Sequence, residues 1–109
     1  MDSTDPKAPA GLIHLVTLAC RDAESAGQCL AALAAHGRPD ALAYGCAAYE
    51  FGLRAGSDDT VWLVERWRRW EDLDALLAER VAPALPLYNQ LLARPFDPEQ
   101  DTVRIALSA

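Results

Sequence analysis

His14 is the side chain best suited to move a proton. It stands in the apolar run from Leu12 to Ala19, with Leu12, Val16 and Leu18 around it. Such a setting keeps an imidazole neutral near pH 7, and a neutral imidazole can take a proton from a phenol or an enol. Glu65 and Trp67 form a second group, at the end of Val61-Trp62-Leu63-Val64-Glu65-Arg66-Trp67. A buried Glu65 carboxylate is a candidate general acid or base, and the Trp67 indole offers an aromatic wall to a flat substrate. Leu63 shares their face at period two. Tyr49 and Tyr88 add phenolic hydroxyls that could meet a ligand oxygen. Each of these residues also has a structural role open to it. His14 can be a hydrogen-bonded core residue and Trp67 can fill the core at a strand end. Glu65 can pair with a neighbouring arginine or cap backbone amides, and the tyrosines can bury a ring while keeping the hydroxyl wet. His36, beside Gly37, reads as a partner for a helix C-terminus and takes no role in the site.

The rest of the composition excludes more than it suggests. With 109 residues there is room for one domain and one core. Hydrophobic residues make up 51% and charged residues 24%, the balance of a globular chain. A net charge of -6 argues against a nucleic-acid partner, because Arg66, Arg68 and Arg69 sit among Glu65, Glu71, Asp72 and Asp74. The run from Gly11 to Cys20 is too short to span a membrane, and its flanks lack the basic character of a secretory leader. A soluble cytoplasmic protein is expected. Three cysteines, Cys20, Cys29 and Cys46, match no zinc spacing and read as buried small hydrophobes in a reducing compartment. Two histidines do not make a metal site unaided, so no metal is expected.

These residues need a scaffold, and the hydrophobic periods supply one. Residues 1–10 are polar with two prolines and read as a flexible arm ahead of a single domain at 11–109. Leu12 to Ala19 reads as a strand apolar on both faces. Asp22 can cap a helix from Ala23, with Ala26, Cys29, Leu30 and Leu33 on its inner stripe, and Gly37 with Pro39 is expected to end it. Ala43 to Leu53 and Thr60 to Trp67 read as a hairpin around the turn residues 54–59. Trp70 to Arg80 reads as a helix interrupted by Pro83 and Pro86, Leu87 to Ala93 as a further short helix, and Pro95 to Asp101 as a loop. Thr102 to Leu107 is the last strand. The order β-α-β-β-α-(α)-β implies an α+β, ferredoxin-like split βαβ fold with a four-stranded antiparallel sheet. Its helices cover one sheet face only. Trp62 and Val64 then lie on the other face and need a cover, which a homodimer packing sheet on sheet would provide.

Tyr44-Gly45-Cys46, then Tyr49-Glu50, then the Val64-Glu65-Arg66-Trp67 strand end and the helix from Trp70-Glu71-Asp72-Leu73 resemble, in order and spacing, the antibiotic biosynthesis monooxygenase family. The resemblance runs from Gly11 to about Leu107. It implies a dimeric α/β barrel and, by the family's best-known activity, cofactor-free oxygenation of an aromatic polyketide-type intermediate. His14 falls where some polyketide-modifying members carry a pocket asparagine, and Trp67 falls on their pocket tryptophan. The implied chemistry is deprotonation of an electron-rich polycycle, exclusion of water, and reduction of oxygen by the carbanion, with no cofactor.

The chain departs from that pattern at Leu63, where oxygenase-type members carry an asparagine, and around Leu73 and Leu76, where a polar helix residue is replaced. Haem-degrading relatives need a histidine between Trp70 and Arg94, and this chain has none there. Three readings follow: a monooxygenase with His14 as base, a non-oxidative cyclase or isomerase of the same fold, and a non-catalytic dimer that binds a small hydrophobic ligand.

Overall fold

Alternation along β1 (Leu12–Ala19) turns His14, Val16 and Leu18 to one side, where they are buried, and Ile13, Leu15 and Thr17 to the other, where they are half-buried. The computed structural model that shows this describes residues 9–108, so the arm expected at residues 1–10 falls almost wholly outside the described residues. Three further strands, β2 (Ala48–Leu53), β3 (Thr60–Trp67) and β4 (Thr102–Ala106), complete an antiparallel sheet in the order β2-β3-β1-β4. This is the split βαβ arrangement expected, with β1 and β3 in the middle. The turn between β2 and β3 takes its left-handed residue at Gly56, φ 83°, where other residues would be strained.

Helices cover the face that carries His14. α1 (Ala23–Ala32) starts at Asp22, whose carboxylate accepts from the Ser25 amide at 2.7 Å. The helical path does not stop at Gly37 and Pro39 as expected. It continues through a π-helical turn (Leu33–Gly37) into α2 (Arg38–Ala43), and Gly37 has a helical φ of -60°. The second strand accordingly begins at Ala48, not Ala43. The same device recurs later, where α3 (Trp70–Leu76) passes through a π-helical turn (Leu77–Val81) into α4 (Ala82–Asn89). Pro83 therefore does not break the helix there. Of the separate helix expected at 87–93 only the part to Asn89 is helical, as its continuation, while Leu92 bridges to Cys20. Each π turn ends two residues before a proline, Pro39 or Pro83. A proline ring clashes with the carbonyl four residues back, and the widened turn relieves that clash. Pro98 opens a short α5 (Pro98–Asp101), capped by Asp97, where a loop was expected.

The core lies between helices and sheet, with Leu18, Val61, Leu63, Leu73 and Leu76 among its buried side chains. Cys20, Cys29 and Cys46 are buried free thiols. Among the described residues no helix covers the opposite face of the sheet, and Trp62 and Val103 are 51% and 54% exposed there. Among the described residues no helix is long and apolar enough to cross a membrane.

Candidate functional site

One row of the sheet collects the chemistry. Tyr49 on β2 pairs with Glu65 on β3, Glu65 with His14 on β1, and His14 with Arg104 on β4. Equal register and period-two alternation put all four side chains on the helix side. His14, Glu65 and Tyr49 are 3%, 4% and 8% exposed.

Within that row Glu65 is the hub. Its Oε1 accepts from Trp67 Nε1 at 3.0 Å and lies 2.9 Å from His14 Nδ1. Trp67 Nε1 can only donate, so Oε1 is an acceptor and the carboxylate form of Glu65 suits both contacts. His14 then donates through Nδ1–H, and in a neutral ring that tautomer leaves Nε2 as the unprotonated nitrogen. The partners of the Glu65 carboxylate are thus His14 and Trp67, and not the neighbouring arginine that its structural role in the sequence reading would use. The arrangement sets the tautomer of an imidazole whose other nitrogen is free to take a proton, the logic of a carboxylate behind a catalytic histidine.

Above this row lies a cavity of about 440 Å³, within the range of small-molecule sites. His14, Glu65, Tyr49 and Leu63 line it from the sheet, and Leu33, Leu76, Val81, Leu85, Tyr88 and Phe96 from the helical side and its flank. Trp67 is not on the wall. It is fully buried behind Glu65 and acts on the site through its N–H. The Tyr49 hydroxyl stands where a Cβ on Gly37 would collide with it. Burial pushes the Tyr49 phenol well above its ordinary value, and the negative charge of Glu65 adds to this. Burial likewise pushes Tyr88 up to about 12, so both phenols stay protonated at neutral pH. The Cys46 thiol is pushed up to about 11, by burial first and by Glu65 second, and is no nucleophile at neutral pH.

Three cavity residues escaped the sequence reading. His36 and Arg80 line the cavity, and so does Arg104, which is held to Asp74 at 2.7 Å and lies over the Trp70 ring. His36 was placed at a helix end, and only the π turn keeps its stretch helical and brings it over the sheet. Arg104 was legible in principle: Val103 and Ile105 turn outward, so Arg104 must turn in. Among the described residues no three His, Cys, Asp or Glu side chains gather as a metal site.

No protein-family model and no curated protein sequence matches the chain. Solved structures do. A monooxygenase from the ActVA-Orf6 gene of Streptomyces coelicolor, in complex with nanaomycin D, superposes with a TM-score of 0.71 at 15% identity, over 100% of this chain and 96% of that one. Rv0793 from Mycobacterium tuberculosis matches at 0.71 and 20% identity, over 90% and 95%. An antibiotic biosynthesis monooxygenase matches at 0.64 and 17% identity, over 90% and 97%. Matches that span both chains at such low identity establish a shared architecture: the chain has the fold of the antibiotic biosynthesis monooxygenases.

Proposed function

We propose that the chain is a cofactor-independent monooxygenase acting on an aromatic, polyketide-type or related intermediate of natural-product biosynthesis. The observation that carries this reading is the Trp67–Glu65–His14 relay, which engages Nδ1 and leaves Nε2 outside it, on a ring that lines the cavity. His14 removes a proton from an activated ring CH₂, and the electron pair stays on carbon as a delocalised carbanion. The carbanion reduces O₂ and combines with it to give a peroxide anion, which takes a proton. Loss of water from that hydroperoxide leaves a carbonyl, so one CH₂ and one O₂ become one C=O and one H₂O. The apolar walls exclude bulk water and so protect the carbanion. The complex of a neighbour of the same fold with nanaomycin D supports a small organic ligand in such a cavity.

A second reading is favoured by Leu63, which offers no polar group to a peroxide from the middle of β3. It is a non-oxidative cyclase or isomerase in which His14 shuttles the proton and the cavity shape folds the substrate. Oxygen consumption by purified protein with an electron-rich polyphenol supports the oxygenase, whereas product formed without oxygen supports the cyclase. Ligand binding with neither activity would leave a non-catalytic dimer.

We also infer a homodimer, sheet on sheet, in the cytoplasm. Trp62, Val64, Leu15 and Val103 share the face that no helix covers, and an exposed apolar patch of that kind marks an association surface. The buried free thiols suit a reducing compartment.

A further inference from the structure

Tyr49 is more than nine-tenths buried, yet its hydroxyl has no hydrogen-bond partner among the described residues. Around it lie the Phe51 ring, in edge-on contact with the Tyr49 ring, and the backbone of Gly37. The one sealed side-chain polar atom without a hydrogen bond among the described residues is Arg69 Nε, so the Tyr49 hydroxyl opens to the cavity. A donor with no protein partner that opens to a cavity is completed by whatever acceptor enters. Tyr49 sits one strand beyond Glu65 in the same sheet row as His14, so donor and base flank one end of the cavity.

We propose that the substrate presents a carbonyl or phenolic oxygen to Tyr49, with Tyr88 as a second donor nearer the mouth, while its acidic proton faces His14. This makes Tyr49 the oxyanion donor of the site, and it rests on His14 being the base only for where the proton goes. In the step, the C–H pair becomes a C=C bond, the carbonyl pair moves to oxygen, and the proton goes to His14 Nε2. Tyr49 keeps its own proton and hydrogen-bonds the developing oxyanion, which a buried neutral donor does best. Burial, with the charge of Glu65, holds Tyr49 protonated for that purpose. No side chain at position 37 is what lets the hydroxyl stand there. A methyl at that position would force the phenol aside although the helical backbone accepts alanine.

The test is binding of naphthols of one shape and increasing acidity, with naphthalene as the control, read by fluorescence and absorbance. Naphthols are expected to bind at least about tenfold tighter than naphthalene, more so as their acidity rises, because a hydrogen bond to a charged oxygen is the stronger one. Tyr49→Phe should lose about tenfold to a hundredfold for naphthols and nothing for naphthalene, and Tyr88→Phe should lose less. Gly37→Ala keeps every hydroxyl and should lose nearly as much as Tyr49→Phe. If Tyr49→Phe does not fold, Gly37→Ala decides. Naphthols and naphthalene binding alike, or a folded Gly37→Ala with unchanged naphthol affinity, overturns the proposal. His14→Gln should still bind a preformed naphtholate but no longer ionise a bound naphthol. If it still ionises one, the base assignment fails and the Tyr49 assignment stands.

Discussion

An indole N–H can only donate, and at Trp67 that single fact sets the state of its neighbours. It makes Glu65 Oε1 an acceptor, which in turn makes His14 Nδ1 a donor and frees Nε2. His14→Gln keeps a polar group but loses basicity, and turnover should fall roughly a hundredfold or more with the fold intact, by steady-state kinetics and circular dichroism. Full activity in a folded His14→Gln would make His14 structural. Glu65→Gln keeps the shape but lets an amide donate to Nδ1, which moves the ring proton to Nε2. Its kcat should drop at least about tenfold while substrate affinity changes little, since the ring loses its acceptor and not its place. Trp67→Phe removes one hydrogen bond to a charged group and should cost about 1.5–3 kcal/mol of stability in denaturant titrations. An unchanged midpoint would mean that the Nε1–Oε1 bond is not holding the carboxylate.

At the scale of elements, the strands were far more legible than the helices. Period-two alternation divides β3 into an inward face with Leu63, Glu65 and Trp67 and an outward one with Trp62 and Val64. But β1 reads as apolar on both faces, and its register against β3 is what brings His14 to Glu65. Helix ends were misplaced because Gly37, Pro39 and Pro83 are ordinarily stop signals, and nothing local announces a π turn that absorbs a proline. That same event hid His36 and the Gly37–Tyr49 contact. The sequence leaves Trp67 two places, a pocket wall by the resemblance or core filling at a strand end, and its N–H partner depends on three-dimensional register. The stretch leading into β4 depends on Asp101, which Arg94 and the Asp97 amide hydrogen-bond. Burial alone would raise the Asp101 carboxyl, but those partners outweigh it and hold it below its ordinary 3.8. A lowered carboxyl stabilises the fold above its unfolded value and ceases to do so as pH falls through the folded one. Stability measured against pH should therefore fall below about pH 4, and Asp101→Asn should be less stable at neutral pH and flatter in that acid range. An Asp101→Asn variant with the parent's acid slope would assign that slope to other carboxylates.

For the whole molecule, one sheet face has helices and the other has Trp62 and Val103 half in water. If a second copy covers that face, Trp62→Asp buries a carboxylate without a partner, which costs several kcal/mol, and it should yield monomers or unfolded chain. Sedimentation of the parent as a stable monomer at micromolar concentration would count decisively against the dimer. A dimer would brace the strands that carry the site, but His14, Glu65, Trp67 and Tyr49 all come from the sheet of one chain, so the proposed proton chemistry needs no residue of a second copy. The account as a whole turns on which nitrogen of His14 is bare. Long-range ¹H–¹⁵N spectra of the folded protein at neutral pH, with the His14 ring assigned by comparison with His14→Gln, read this directly. The account predicts a protonated Nδ1 and an unprotonated Nε2, with the signal lost or inverted in Glu65→Gln. A ring protonated on Nε2, with Nδ1 bare, would contradict it.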